Sequence, residues 1–253
     1  MPRLDVYLHT NGLCQSRSLG AKLCRGGFVY VNGQRCEKSS REVFPEDVIE
    51  IRENPLTRYV SRGGLKLEAA LNEFSVSPEG LVCADIGAST GGFTDCLLQH
   101  GAKKVYAIDS GTAQLHMSLR QNDCVISMEN VNARFLDEGM IEPVDLVVMD
   151  VSFISQRLLF PAVGKILKDG GIFLSLIKPQ FEVGREEIGS GGIVRNEKAR
   201  LACIEEIRAH AKKYDLSMEQ TIPSPILGGD GNTEYLALFS FHKRNNAEKG
   251  EIR

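Results

Sequence analysis

The chain contains no uninterrupted apolar run of about 18 residues, the length a helix needs to cross a bilayer core, so a membrane-spanning helix is not expected. Its first residues, MPRLDVYLHTNG, hold no long apolar block of the kind that directs secretion, and a cytoplasmic protein is the expectation. Seven cysteines (Cys14, Cys24, Cys36, Cys83, Cys96, Cys124, Cys203) form no CxxC pair; an odd, scattered set reads as reduced, mostly buried thiols, and no metal is expected. An excess of positive charge is missing too. With 30 Lys and Arg against 33 Asp and Glu the net charge is −3, which excludes a wholly basic nucleic-acid coat. What is present is ordinary: 42% hydrophobic and 25% charged residues in 253, enough for one or two domains that fold without staples.

The net charge hides an asymmetry. Residues 1–41 hold seven Lys or Arg against only Asp5 and Glu37, so a small basic head precedes an acidic body. Polyanion binding, where it occurs, is expected in the head; a merely solvated basic face remains open. Leu4, Val6 and Leu8 predict a short helix ending near Asn11-Gly12, and Ser16 can cap a second helix that runs to Gly26-Gly27. Phe28 to Val31 is rich in strand formers and runs into Asn32-Gly33, a strong hairpin signal; a last strand fits Asp47 to Ile51. An ideal helix would place Arg17, Lys22 and Arg25 within about 140° of one another, a spacing that suits a phosphate backbone.

Arg3-Leu4-Asp5, then Gly12-Leu13 with Ser16-Arg17, then Gly27 to Gly33, in that order, resemble an S4 RNA-binding domain. The resemblance implies that residues 1–53 form a small α+β unit that binds RNA. Arg3, Arg17, Lys22, Arg25 and Lys38 are its expected RNA contacts, joined by Arg62 beyond a connector at 54–61.

From Leu81 onward, short apolar strands (81–86, 104–109, 124–128, 144–150, 171–178, 234–241) alternate with helical stretches (92–100, 112–119, 154–168, 196–213). That alternation predicts a parallel sheet covered on both sides, with residues 62–242 as one domain and 243–253 as a charged tail. The first strand runs into Gly87-Ala88-Ser89-Thr90-Gly91-Gly92-Phe93-Thr94, the turn where doubly wound sheets hold nucleotides. A second strand ends at Asp109, 24 residues after Asp85, where a carboxylate can take a ribose diol. Ser89 replaces the second glycine of a dinucleotide fingerprint, and no Gly-Lys-Ser/Thr follows as in a phosphate loop. A nucleoside without a pyrophosphate fits better, and S-adenosylmethionine (SAM) is such a ligand. The expected cofactor contacts are Asp85, Gly87, Ser89, Thr90, Gly91, Gly92, Phe93 and Asp109. A glycine turn that only permits tight packing is the plainer alternative.

Asp150, Lys178 and Glu234 each stand at a strand end, where reacting groups of such sheets collect. Lys178 is the most telling, because a cation after Phe173 to Ile177, apolar but for Ser175, needs a partner if it is buried.

Ser61 to Leu67, Asp85 to Thr94, Met149 to Phe153 and Leu176 to Glu182 resemble the FtsJ-type ribose methyltransferase domain. With the S4-like head, nearly the whole chain is similar to the TlyA (haemolysin A-like) family of ribosomal RNA 2′-O-methyltransferases. The resemblance implies an α/β architecture, a Rossmann-like doubly wound SAM-methyltransferase domain behind a small S4-like domain. It implies SAM as methyl donor and ribosomal RNA or ribosomal subunits as partner. It also implies a catalytic tetrad at Lys66, Asp150, Lys178 and Glu234. A ribose hydroxyl is a weak nucleophile until its proton is removed or polarised, and a lysine does this if a neighbouring cation and partial burial favour its neutral form. Lys66 is the expected neighbour of Lys178. Asp150-Val151-Ser152-Phe153 lacks the Pro-Pro-Tyr pattern of base N-methylation, and no cysteine stands at those strand ends. A non-catalytic ribosome-binding factor and a cytolysin, as the family name suggests, are the rival readings. Oligomeric state is not legible.

Overall fold

In the computed structural model, residues 1–14, 16–52, 58–228 and 230–244 are described. Part of the expected connector, with Pro55, and most of the expected charged tail lie outside them. The chain divides into two compact units, Met1–Tyr59 and Val60–Arg253.

In the first unit, helix α1 (Leu4–Thr10) and helix α2 (Arg17–Arg25) precede strands β1 (Val29–Val31), β2 (Gln34–Arg35) and β3 (Ile49–Ile51). Ser16 caps α2, its hydroxyl accepting from the Leu19 N–H at 3.2 Å. Asn32 and Gly33 turn the β1–β2 hairpin at φ 53° and 76°, both left-handed as a tight hairpin demands. The antiparallel sheet has the order β2-β1-β3. Leu4, Leu8, Leu23, Val29 and Val31 form a core against it. Gly20 of α2 allows close helix packing: a Cβ there would meet the Asp5 carbonyl at 3.0 Å.

The second unit opens with α3 (Gly63–Glu73). It continues through β4 (Val82–Ile86), α4 (Gly92–Gln99), β5 (Lys104–Ile108), α5 (Met117–Arg120), β6 (Val125–Met128), β7 (Val144–Met149), α6 (Phe160–Ile166), β8 (Leu167–Ile177), α7 (Glu197–Ala211), β9 (Leu216–Pro223) and β10 (Tyr235–Phe241). The sheet order is β6-β5-β4-β7-β8-β10-β9. Strands β4 to β8 run parallel, whereas β10 is antiparallel to both β8 and β9. The chain therefore leaves β4 to one side, through β5 and β6, and returns on the other through β7. A crevice opens at the carboxyl ends of β4 and β7, where the strand order reverses.

The expectation of an all-parallel sheet is corrected at this edge. Strand β9 has few core-facing positions, Leu216 and Met218 being its buried side chains, so its sequence carries little apolar alternation. The helix expected at 112–119 shrinks to α5, because Ala113 takes a left-handed φ of 55°. Val82, Ala84 and Ile86 of β4 pack with Phe160, Val163, Ile204 and Ile207 of α6 and α7. Alternation along the strand then turns Asp85 to the opposite face, toward α4.

Candidate functional site

The loop after β4 is shaped by three left-handed residues, Gly87 (φ 85°), Ser89 (φ 48°) and Gly91 (φ 96°). A Cβ on Gly87 would lie 2.6 Å from the Asp150 carbonyl oxygen, so glycine is what lets this loop pass the end of β7. Asp109, just past β5, accepts from the Ser89 N–H at 2.8 Å and from the Gly111 N–H at 2.7 Å. Each oxygen keeps a second lone pair, so the carboxylate can still take hydroxyls. Beside it lies a cavity of about 380 Å³ walled by Gly87, Ser89, Asp109 and Gln114 and by apolar Val131 and Leu159. Acceptor-bearing at one wall and apolar at the other, it fits a nucleoside.

Asp85 sits beneath this loop, fully buried, with Oδ2 accepting from the Thr94 hydroxyl at 2.7 Å. Its other oxygen has no partner among the described residues. Burial pushes its carboxyl up to about 7, with Asp150 and Asp109 adding to the rise and the Thr94 hydroxyl opposing it. Asp85 and Gly91 line neither cavity: a Cβ on Gly91 would strike Leu119 at 2.2 Å, so that glycine permits packing against α5.

A second cavity of about 280 Å³ shares Gly87, Ser89, Asp150 and Ser152 with the first. Arg62, Lys66, Thr90, Gly92, Phe93 and Lys178 line it too. Lys66 Nζ bonds Glu234 Oε2 at 2.5 Å, with 11% and 3% of the two side chains exposed. Lys178 Nζ lies 2.6 Å from Asp150 Oδ1 and donates to Ser152 Oγ at 2.7 Å. Four residues 168 positions apart at the extremes thus form two lysine–carboxylate pairs at one cavity. Each amine is bonded to a carboxylate, and both lysines line the same cavity.

Three features of this site lie in segments that carry the family resemblance, yet their contacts are not legible in the sequence. Ser152 and Phe153 belong to the loop after β7, where Phe153 takes a left-handed φ of 64° and is 91% exposed. Its ring lies 5.1 Å from that of Phe181. Glu182 is buried and ties the loop after β8 to the loop after β7. It accepts from the Ser155 hydroxyl at 2.7 Å and the Gln156 N–H at 2.8 Å, and pairs with Arg157 at 3.3 Å. Burial raises its carboxyl even so. Each of these contacts joins segments distant in sequence, which no local pattern reports.

The expected RNA contacts of the first unit, Arg3, Arg17, Lys22, Arg25 and Lys38, are all exposed, as is Arg62 in the second. Among the described residues, no group of three or more His, Cys, Asp or Glu could hold a metal ion, and no helix is long and apolar enough to cross a membrane.

A doubly wound sheet with a glycine-shaped turn at its switch point and two lysine–carboxylate pairs beside it is a methyltransferase arrangement. The FtsJ-like methyltransferase model matches residues 59–241 and the S4 domain model residues 2–49. The chain belongs to the FtsJ-like methyltransferase family and carries an S4 domain ahead of it; its methyl donor is SAM. Among its relatives is "Hemolysin A" of Brachyspira hyodysenteriae, 44% identical over 94% of this chain and 99% of that protein. The "16S/23S rRNA (cytidine-2'-O)-methyltransferase TlyA" of Mycobacterium tuberculosis is 39% identical, covering 92% of this chain and 87% of that one. The solved structure "Putative hemolysin from Streptococcus thermophilus" superposes with a TM-score of 0.74 at 43% identity, covering 96% and 89% of the two chains.

Proposed function

We propose that this protein methylates the 2′-hydroxyl of a ribose in ribosomal RNA. The observation that carries the reading is the meeting of Lys66–Glu234 and Lys178–Asp150 at one cavity, adjoining a nucleoside-sized one. The relatives named for rRNA 2′-O-methylation support it.

SAM fits the larger cavity: Asp109 presents acceptors for a ribose diol, the apolar wall suits an adenine, and Gly87 and Ser89 leave the passage toward Asp150 open. When bound, it supplies a methyl group already activated by its sulfonium. Lys178 takes or polarises the proton of the 2′-hydroxyl as the oxygen becomes a nucleophile. Asp150 and Ser152, which line both cavities, fix the Lys178 amine in the wall of the smaller one, and Glu234 fixes Lys66 in that same wall. Alignment of the hydroxyl with the methyl group then supplies a large part of the rate. Phe153, exposed and held on a strained turn, offers a face on which a base of the target strand can stack.

The basic first unit anchors the RNA through Arg3, Arg17, Lys22, Arg25 and Lys38, offsetting the acidic body. Free rRNA and assembled ribosomal subunits both present such a backbone. The test is transfer of tritium from labelled SAM to rRNA and to purified subunits. The full-length protein labels at least one of them, and Lys178→Ala labels neither while still binding SAM. No transfer by the folded wild type to either substrate would refute the reading.

A further inference from the structure

The first unit carries an acidic residue where a surface that tracks phosphates should be purely basic. Asp5 has a side chain only 4% exposed, yet both of its oxygens hold arginines. Arg3 reaches it with two bonds, Nε to Oδ1 and Nη2 to Oδ2, each at 3.0 Å. Arg17, from the start of α2, donates Nε to Oδ2 at 3.2 Å. The Val6 N–H holds Oδ1 from the chain side at 3.0 Å. The two arginine side chains remain 45% and 59% exposed, and the Nη groups of Arg17 meet no partner among the described residues.

We propose that Asp5 is a positioning residue for RNA: it splints Arg3 and Arg17 into a two-pronged clamp for one phosphate group of the backbone. A guanidinium held by one edge presents its remaining N–H donors as a fixed fork, the geometry that matches phosphate oxygens. Two unrestrained arginines this close would repel each other and lose side-chain freedom on binding; the carboxylate removes both costs beforehand. With one carboxylate between two cations the triad keeps a net charge of +1, so it still attracts an anion. The closeness of α1 and α2 is built in, since Gly20 faces the Asp5 carbonyl, where a Cβ would make a tight 3.0 Å contact. The hydrogen bond from Arg3 also holds the Asp5 carboxyl below its ordinary range, so the splint stays charged at neutral pH. The proposal rests on the reading that the first unit binds RNA.

The test has opposite signs for the two explanations. Asp5→Asn makes the protein one unit more positive, and long-range attraction alone predicts tighter RNA binding. The splint predicts weaker binding, roughly tenfold for two released side chains, with a shallower dependence of log Kd on log salt. The full-length protein is titrated against a labelled 23S rRNA transcript at several salt concentrations. Thermal melts and SAM affinity confirm that each variant is folded. Asp5→Glu, which keeps the charge but moves the carboxylate by one methylene, should weaken binding as well. In an Arg17→Ala background, Asp5→Asn should lose the part of its effect that acts through Arg17, and in an Arg3→Ala, Arg17→Ala background nearly all of it. Tighter or unchanged binding by Asp5→Asn, with Arg17→Ala weaker, overturns the splint alone. Unchanged binding by both Arg3→Ala and Arg17→Ala overturns the RNA-binding reading beneath it.

Discussion

Gly87→Ala adds a single methyl group at the point where the cofactor loop and the catalytic strand end meet. The residue stands at φ 85°, and a non-glycine residue there costs about 1–2 kcal/mol. The added Cβ would lie 2.6 Å from the Asp150 carbonyl oxygen and 3.1 Å from its carbon. Those atoms are backbone and cannot rotate aside. The Asp150 N–H is itself bonded to the Ile86 carbonyl at 3.0 Å, so the two strand ends are pinned together. Reaching an ordinary contact of 3.4 Å requires a shift of about 0.8 Å. That shift displaces Asp150, and Lys178 with it, on the scale where misplacement costs about a hundredfold in rate. Gly170→Ala is the control: its φ is 76°, but nothing lies within 4 Å of the added methyl. It should lose about 1–2 kcal/mol in urea unfolding from strain alone, with wild-type kinetics. Single-turnover methyl transfer and calorimetry of SAM binding read the difference. Wild-type affinity and rate in a folded Gly87→Ala variant would refute the argument.

Lys178→Ala should abolish methylation while SAM affinity stays near wild type, and Lys178→Arg should fail equally because a guanidinium gives up no proton near neutral pH; turnover by either, measured with labelled SAM, would remove Lys178 from the chemistry. Asp109→Ala should weaken SAM binding by about 1.5–3 kcal/mol in calorimetry, since it removes charge-assisted bonds to a hydroxyl and to the Ser89 turn together. Asp85 holds more protons folded than unfolded between its ordinary 3.8 and about 7, so its contribution to stability falls as pH rises through that window. Asp85→Asn should therefore flatten this loss and unfold at higher urea than the wild type at pH 8; a lower midpoint there would contradict the burial argument. Glu182→Ala strands the buried Gln156 N–H and leaves Arg157 with Glu206 alone, and should cost about 1–3 kcal/mol in urea unfolding.

Much of the site was legible because its residues end strands. Asp109, Asp150 and Lys178 follow apolar runs, and a polar residue closing such a run stands at the rim of the sheet. Glu234 opens one, and the structure brings it onto Lys66. The glycine turn was legible from Gly87 and Gly91, whose left-handed angles few other residues adopt. What escaped depends on apposition. Strand β9 is an edge with little apolar alternation. The Ser152–Lys178 and Ser155–Glu182 bonds join two loops whose residues lie 26 and 27 positions apart, and nothing in either loop names the other. Likewise, Asp5 reads as an ordinary first-turn acid until α2 delivers Arg17 to its second oxygen.

Transfer of the methyl group to a ribose oxygen of ribosomal RNA is read most directly from where a labelled methyl group resides. Ribosomal RNA treated with the protein and deuterium-methyl SAM is digested to nucleosides, and each labelled nucleoside is fragmented in a mass spectrometer at the glycosidic bond. The label is expected to stay with the sugar fragment, and Lys178→Ala to give no label. Label found on the base fragment would contradict transfer to the ribose.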